Sequence, residues 1–129
     1  MSTAAAKSLN LLVVDDSAMM RAMLTRAARL SGLPIGAIHE AANGQEALAL
    51  LETQSVDALF TDLNMPVMTG MELLRIIDER NSWPGLLRVV ISADGSAAKR
   101  DGADALNTLR YIEKPFKPEA IRDVLAALL

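Results

Sequence analysis

The sequence contains no cysteine, which excludes disulfide frameworks, thiolate metal sites and cysteine nucleophiles. It also has no basic stretch, and with a formal net charge of -3 at pH 7 it would repel a phosphate backbone, so nucleic-acid binding is not expected. It lacks both a signal-peptide core at the N-terminus and an apolar run of membrane-spanning length. These absences favour a cytoplasmic protein that does not bind a membrane.

Length and composition indicate one globular domain. The chain has 129 residues, of which 51% are hydrophobic and 22% carry charge, so it can bury a core and does not resemble a disordered chain. A separate effector domain would not fit beside that core. We therefore expect a flexible N-terminal segment over 1–8 and one domain over 9–129.

Apolar runs and helical repeats alternate along this domain. The expected strands cover 9–14, 37–40, 57–61, 87–91 and 110–113, and the expected helices cover 18–30, 45–52, 70–80, 97–109 and 118–129. Strands that alternate with helices predict an α/β fold, a doubly wound five-stranded parallel sheet with helices on both faces. In such sheets the functional crevice lies beyond the carboxyl ends of the strands.

Helical spacing predicts which side chains face the core. The expected inward residues are Met20, Met23, Leu24, Ala27 and Leu30 in the first helix, and Ala47, Leu48 and Leu51 in the second. Most of the methionines at 19, 20, 23, 65, 68 and 71 are expected in the core, and those in the loop after Asp62 could also contact partners. His39 is expected at the surface or at the sheet edge.

Polar side chains follow four of the five predicted strands at their carboxyl ends. Asp15 and Asp16 follow the first strand, Asp62 the third, Ser92 the fourth and Lys114 the fifth. If the first and third strands are neighbours, they lie about 5 Å apart, which brings three carboxylates together. Such a cluster either raises a carboxylate pKa or binds a cation, and oxygen ligands favour Mg²⁺, for which Mn²⁺ could substitute.

An ionised aspartate can attack phosphorus when the charge on the phosphoryl oxygens is neutralised. Taken singly, Asp15 and Asp16 could instead be a helix cap and a turn, and Ser92 and Lys114 could be solvated loop residues. Their joint placement at one edge of the sheet favours phosphate chemistry at Asp62.

Four ordered motifs resemble the response-regulator receiver family. They are Val-Val-Asp-Asp-Ser at 13–17, Asp-Leu-Asn-Met-Pro-Val-Met-Thr-Gly-Met-Glu at 62–72, Ile-Ser-Ala at 91–93 and Lys-Pro-Phe at 114–116. The resemblance that rests on them covers nearly the whole chain. The resemblance implies the strand order 2-1-3-4-5 and a phosphorylation-activated switch of a two-component or chemotaxis pathway, a regulatory protein and not an enzyme.

The resemblance also implies roles for single residues. Asp62 would accept a phosphoryl group from the phosphohistidine of a sensor histidine kinase or a histidine phosphotransfer protein. Asp16, Asp62 and the backbone carbonyl of Asn64 would hold Mg²⁺, and Asp15 would support the metal largely through water. Asn64 and Asp94 would flank the approach of a hydrolytic water, and since neither is bulky or apolar we expect self-dephosphorylation within seconds to minutes.

The resemblance also implies which residues respond to phosphorylation. Lys114 would pair with the phosphoryl group, Ser92 would move toward it and Tyr111 would change rotamer. The Lys114–Pro115 peptide bond would be cis. A downstream protein would bind the face formed by the predicted helix over 97–109, the fifth strand and the last helix, and the regulator would be a monomer or a weak dimer.

This chain departs from the family at the predicted helix over 97–109. Gly102 lies inside it, which lowers helix stability by about 1 kcal/mol relative to alanine. The Gly-Ala-Asp at 102–104 comes too early to form the usual turn before the fifth strand. We therefore expect this helix to be partly unfolded without phosphate.

Two other functions remain open. A magnesium-dependent phosphatase that works through an aspartyl phosphate usually carries a second acid two residues after the nucleophile, where this chain has Asn64. A receiver-like module that binds partners without phosphorylation would not need the acidic cluster together with Ser92 and Lys114.

Overall fold

A computed structural model describes residues 8–93 and 109–129, which contain five parallel strands in one sheet. The strands are β1 (Leu9–Val14), β2 (Ile35–Ala41), β3 (Ala58–Thr61), β4 (Leu87–Ser92) and β5 (Leu109–Glu113). Their order is β2-β1-β3-β4-β5, and every pair of neighbours is parallel. The predicted fold class and strand order are confirmed.

Four helices lie within the described residues, each after the carboxyl end of a strand. They are α1 (Ala18–Arg29), α2 (Gly44–Thr53), α3 (Gly70–Arg80) and α4 (Pro118–Ala126). The side chains of Ser17, Asn43 and Thr69 cap the first three by accepting a hydrogen bond from a backbone N–H of the first turn. These caps hold the start of each helix next to the polar edge of the sheet.

Two expected segments lie largely outside the described residues. These are the N-terminal segment over 1–8, of which only Ser8 is described, and the helix over 97–109 with its expected partial unfolding. Leu109, which we expected to end that helix, begins β5 instead.

The core is divided by the sheet into two apolar clusters. On one face, Leu12, Leu59 and Val90 pack with residues of α2 and α3. On the other face, Val13 and Phe60 pack with residues of α1 and α4. Because successive strand residues point to opposite faces, both faces of β1 and β3 are buried, which explains their continuous apolar sequences.

The buried face of α1 is narrower than predicted. Its buried residues are Leu24, Ala27 and Ala28. Met23 is 48% exposed and Leu30, just after the helix, is 71% exposed, so the prediction that they face the core is wrong. Both lie beside the buried stripe on the side of α4, where they line an open groove of about 220 Å³ with Phe116 and Pro118. The inward face predicted for α2 is confirmed.

The methionines also divide between core and surface. Met65 and Met71 are buried, and Met20 and Met68 are partly buried against the two clusters. The prediction that most of the methionines lie in the core is therefore confirmed, and the exceptions are Met23 and Met19, which is 74% exposed at the solvent side of the first turn of α1. Within the described residues, no helix has both the length and the apolarity required to cross a membrane.

Candidate functional site

Three carboxylates meet where β1 and β3 end side by side. The neighbouring strand holds the backbone of two of these residues, since Asp15 N donates to Ala41 O at 3.1 Å and Asp62 N donates to Val14 O at 3.1 Å. One carboxylate oxygen each from Asp15, Asp16 and Asp62 lies within 4.8 Å of the other two. The predicted acidic cluster is therefore present, because the first and third strands are neighbours.

Lys114 brings a positive charge to this cluster from the end of β5. Its Nζ lies 3.2 Å from Asp62 Oδ2 and 3.4 Å from Asp15 Oδ2. Burial lowers the pKa of Lys114, but the attraction and hydrogen bonds of the Asp62 and Asp15 carboxylates outweigh it and hold the pKa above the ordinary 10.5. Lys114 is therefore a permanent cation near neutral pH. The Lys114–Pro115 bond is cis, the isomer that the resemblance implies.

Two of the three carboxylates are also held by backbone amides. Asp62 Oδ1 accepts from the N–H of Leu63 at 2.7 Å and, more weakly, from the N–H of Asn64 at 3.4 Å. Asp15 Oδ1 accepts from the N–H of Ser17 at 2.9 Å. These bonds leave the Oδ2 atoms of both carboxylates facing Lys114. Asp16 is exposed, and none of the described groups donates a hydrogen bond to its carboxylate.

The start of α3 packs directly on the backbone of Asp62. Gly70 N donates to Leu63 O at 2.9 Å. A Cβ atom at Gly70 would overlap Asp62 O and would lie 2.8 Å from Leu63 Cα. Only glycine permits this approach. The sequence predicts a helix start at Gly70 but does not reveal this contact with the backbone of Asp62 and Leu63.

The predicted switch residues lie on one face of β4 and β5. Ser92, 5% exposed, is the last residue of β4, and its carbonyl accepts from Lys114 N at 2.8 Å. Tyr111 is in register with Val90 and packs on the cluster beneath α2 and α3. Since paired residues of parallel strands point to the same face, and Ser92 is two residues beyond Val90, the side chains of Ser92 and Tyr111 share that face.

The other predicted residues are less constrained. Asn64 is exposed beside the cluster, and Asp94 lies outside the described residues. His39 is a half-buried residue of β2, an edge strand of the sheet, as expected.

Sequence reasoning missed Arg21. Its Nη1 donates to the backbone oxygen of Asp15 at 2.7 Å, and its Nε pairs with Glu40 Oε1 at 3.0 Å. The available signal was a basic residue early in α1, five residues after Asp16.

The donor set suits a hard cation. Mg²⁺ and similar ions prefer carboxylate oxygens, and three carboxylates place such oxygens close together here. One of the three, Asp16, is exposed and accepts no hydrogen bond from a described donor. The amide-oriented Asp62 carboxylate and the adjacent ammonium also provide a nucleophile and a group that stabilises anionic oxygens.

Comparison with known proteins agrees with this geometry. Residues 11–126 match a family model described as the response regulator receiver domain. A chemotaxis protein CheY homolog of Campylobacter jejuni is 33% identical over 122 residues, which cover 94% of this chain and 92% of that protein. The solved chemotaxis response regulator CheY4 of Vibrio cholerae superposes with a TM-score of 0.81 at 28% identity, over 95% of this chain and 100% of that one. The receiver domain of AraT, a response regulator from Geobacillus stearothermophilus, gives 0.81 at 30% identity, over 95% and 93%.

Proposed function

The chain belongs to the response regulator receiver domain family, and we propose that it is a phosphorylation-activated switch with Asp62 as the phosphoacceptor. The observation that supports this most is the placement of Lys114 Nζ 3.2 Å from Asp62 Oδ2, beside a cluster of three carboxylates. The donor is the phosphohistidine of a sensor histidine kinase or a histidine phosphotransfer protein, which places the protein in the cytoplasm.

In the transfer step, a carboxylate oxygen of Asp62 forms a bond to phosphorus. The bond from phosphorus to the donor's imidazole nitrogen breaks, and that nitrogen keeps the electron pair and takes up a proton from solvent. Because the N–H of Leu63 orients the carboxylate, little reorganisation is needed. The Lys114 ammonium stabilises the negative charge on the phosphoryl oxygens.

A magnesium ion is the cofactor that we propose. When bound, it supplies positive charge that neutralises the phosphoryl oxygens. Asp16, Asp62 and the backbone carbonyl of Asn64 would hold it, Asp15 would act largely through water, and Mn²⁺ could take its place. The clustered carboxylate oxygens support this assignment.

The signal is carried by a shift between two conformations. The phosphoryl group adds acceptor oxygens, which Lys114 and an inward-moving Ser92 bind, and Tyr111 then changes rotamer. A shift from mostly inactive to mostly active needs about 5.5 kcal/mol of differential stabilisation, so these contacts must be stronger in the phosphorylated state. A downstream protein then binds β5, α4 and the segment that joins β4 to β5, and the switch is a monomer or a weak dimer.

The phosphorylated state should be short-lived. Asn64 is polar and exposed, so it does not shield the phosphorus from water, and Asp94 is the second residue that we assign to this role. We expect self-dephosphorylation within seconds to minutes. A phosphorylated form that persists for many hours in magnesium buffer would contradict this.

The direct test is phosphorylation by acetyl phosphate with Mg²⁺, read by intact-protein mass spectrometry. We expect one added phosphoryl group on the wild type and none on Asp62→Asn. Asp57→Asn is the matched control, because Asp57 lies at the opposite end of β3, where its Oδ2 accepts from Asn10 N. An unlabelled wild type would favour a phosphorylation-independent module, and steady turnover of phosphate esters would favour a phosphatase.

A further inference from the structure

Arg21 links the acidic cluster to the edge strand of the sheet. Its guanidinium donates from Nη1 to Asp15 O at 2.7 Å and from Nε to Glu40 Oε1 at 3.0 Å. Its side chain is 18% exposed, whereas that of Glu40 is 49% exposed. Glu40 is in register with Val13 of β1. One side chain of α1 therefore joins the end of β1 to β2.

The bond to Asp15 O constrains the residue that follows. That oxygen belongs to the planar peptide unit between Asp15 and Asp16, so fixing it fixes the plane that leads to the Asp16 Cα atom. The Asp16 carboxylate receives no hydrogen bond from a described group, in contrast to those of Asp15 and Asp62. The position of this carboxylate therefore depends more than that of the other two on its backbone, and the peptide unit before Asp16 is held by Arg21.

The positive charge of Arg21 is compensated by a neighbouring carboxylate. Glu40 forms an ion pair with it, so the guanidinium adds little net positive charge beside a cation site. Loss of Glu40 would leave Arg21 anchored only by its bond to Asp15 O and would leave its charge uncompensated, and both effects oppose cation binding.

We propose that Arg21 is a positioning residue for the cation site, oriented by Glu40, and that it sets Mg²⁺ affinity through the Asp15–Asp16 peptide unit. The inference rests on the proposed function, since Mg²⁺ is its ligand. Partners that orient metal ligands typically change affinity by about tenfold or more when they are removed.

The test is isothermal titration of the full chain with Mg²⁺, together with urea unfolding of each variant. Arg21→Ala should weaken Mg²⁺ binding by about tenfold. Arg21→Lys should fall between it and the wild type, because one ammonium cannot reproduce the two-armed contact to Asp15 O and Glu40. Glu40→Gln should weaken binding less than Arg21→Ala.

Arg29→Ala is the matched control. Arg29 is on the same helix and also donates to backbone carbonyls of β2, to Gly36 O at 2.9 Å and Ile35 O at 3.3 Å, but away from the cluster. The Arg29→Ala variant should have a lower unfolding free energy, as Arg21→Ala should, but its Mg²⁺ affinity should equal that of the wild type.

The outcomes separate the two proposals. If wild type binds Mg²⁺ and the Arg21 variants bind it equally well, the role of Arg21 is refuted and the magnesium site stands. If wild type binds no Mg²⁺, the proposed cofactor is itself wrong. If Arg21→Ala does not fold, Arg21→Lys decides, since an unchanged affinity would refute positioning and a weakened one would support it.

Discussion

Lys114 Nζ lies 3.2 Å from Asp62 Oδ2, although the two residues follow strands that are not neighbours. β4 separates β3 from β5, so the lysine crosses the end of the strand that carries Ser92. Its ammonium is the one group within hydrogen-bonding distance of both Asp62 and Asp15 among the described side chains. The charge balance of the cluster therefore depends on this residue.

Lys114→Met should reduce stability in a way that depends on pH. The carboxylates hold the folded-state pKa of Lys114 above 10.5, so its ammonium stabilises the fold fully below the unfolded-state pKa. This contribution is lost as the pH rises through the folded-state value. The difference in unfolding free energy from the wild type, measured in urea, should stay constant near neutral pH and shrink above 10.5. Lys117→Met, at an exposed lysine of the same loop, should show no such change, and a difference that vanishes near neutral pH would contradict the assignment.

Asp16→Asn should raise the stability of the magnesium-free protein and reduce the stabilisation that Mg²⁺ provides. In chelator the variant should be more stable than the wild type, because one of three mutually repelling carboxylates is gone. With Mg²⁺ at a hundredfold excess over its Kd, the wild type should gain about 2.7 kcal/mol of unfolding free energy and the variant much less. Asp123→Asn, on the exposed side of α4, serves as the control. Equal gains in both variants would argue against Asp16 as a ligand.

Gly70→Ala should destabilise the fold by about 2 kcal/mol, since its Cβ would overlap the backbone of Asp62 and Leu63. The overlap would displace the backbone of Asp62, so phosphorylation by acetyl phosphate should also be slower. Gly85→Ala is the control, because its Cβ would meet nothing within 4 Å, and its unfolding free energy should be unchanged or slightly higher. If both substitutions cost the same in urea denaturation, the close approach at Gly70 is not the cause.

Val67→Gly should stabilise the protein. Val67 is 74% exposed, and its φ of 69° is unfavourable for a β-branched residue. Relief of about 1–3 kcal/mol of strain should exceed the entropic cost of glycine, about 0.5–1 kcal/mol. Asn81→Gly is the control. Asn81 also has a positive φ, 49°, at the end of α3, but asparagine tolerates the left-handed conformation, so this change should alter the unfolding free energy by only about a few tenths of a kcal/mol. A less stable Val67→Gly would show that the loop carries no such strain.

Much of the architecture could be read from the sequence because the relevant signals are local. The apolar runs that end at Val14, Thr61 and Ser92 are typical of strands buried on both faces. The side chains that follow them, among them Asp15 and Asp62, could be placed at one edge because parallel strands end together. The strand order came from the motifs that resemble the receiver family.

Only the tertiary structure decided how these side chains meet. The contact of Lys114 with Asp62 joins residues that are distant along the chain. The contacts of Gly70 with Asp62 O and of Arg21 with Asp15 O are close in sequence, but they depend on how α3 and α1 pack against the strand ends. Hydrophobic spacing reports that a helix is amphipathic, but the neighbouring elements determine how much of its apolar face is covered. For that reason Met23 and Leu30 fit the helical pattern and yet line an open groove beside α4.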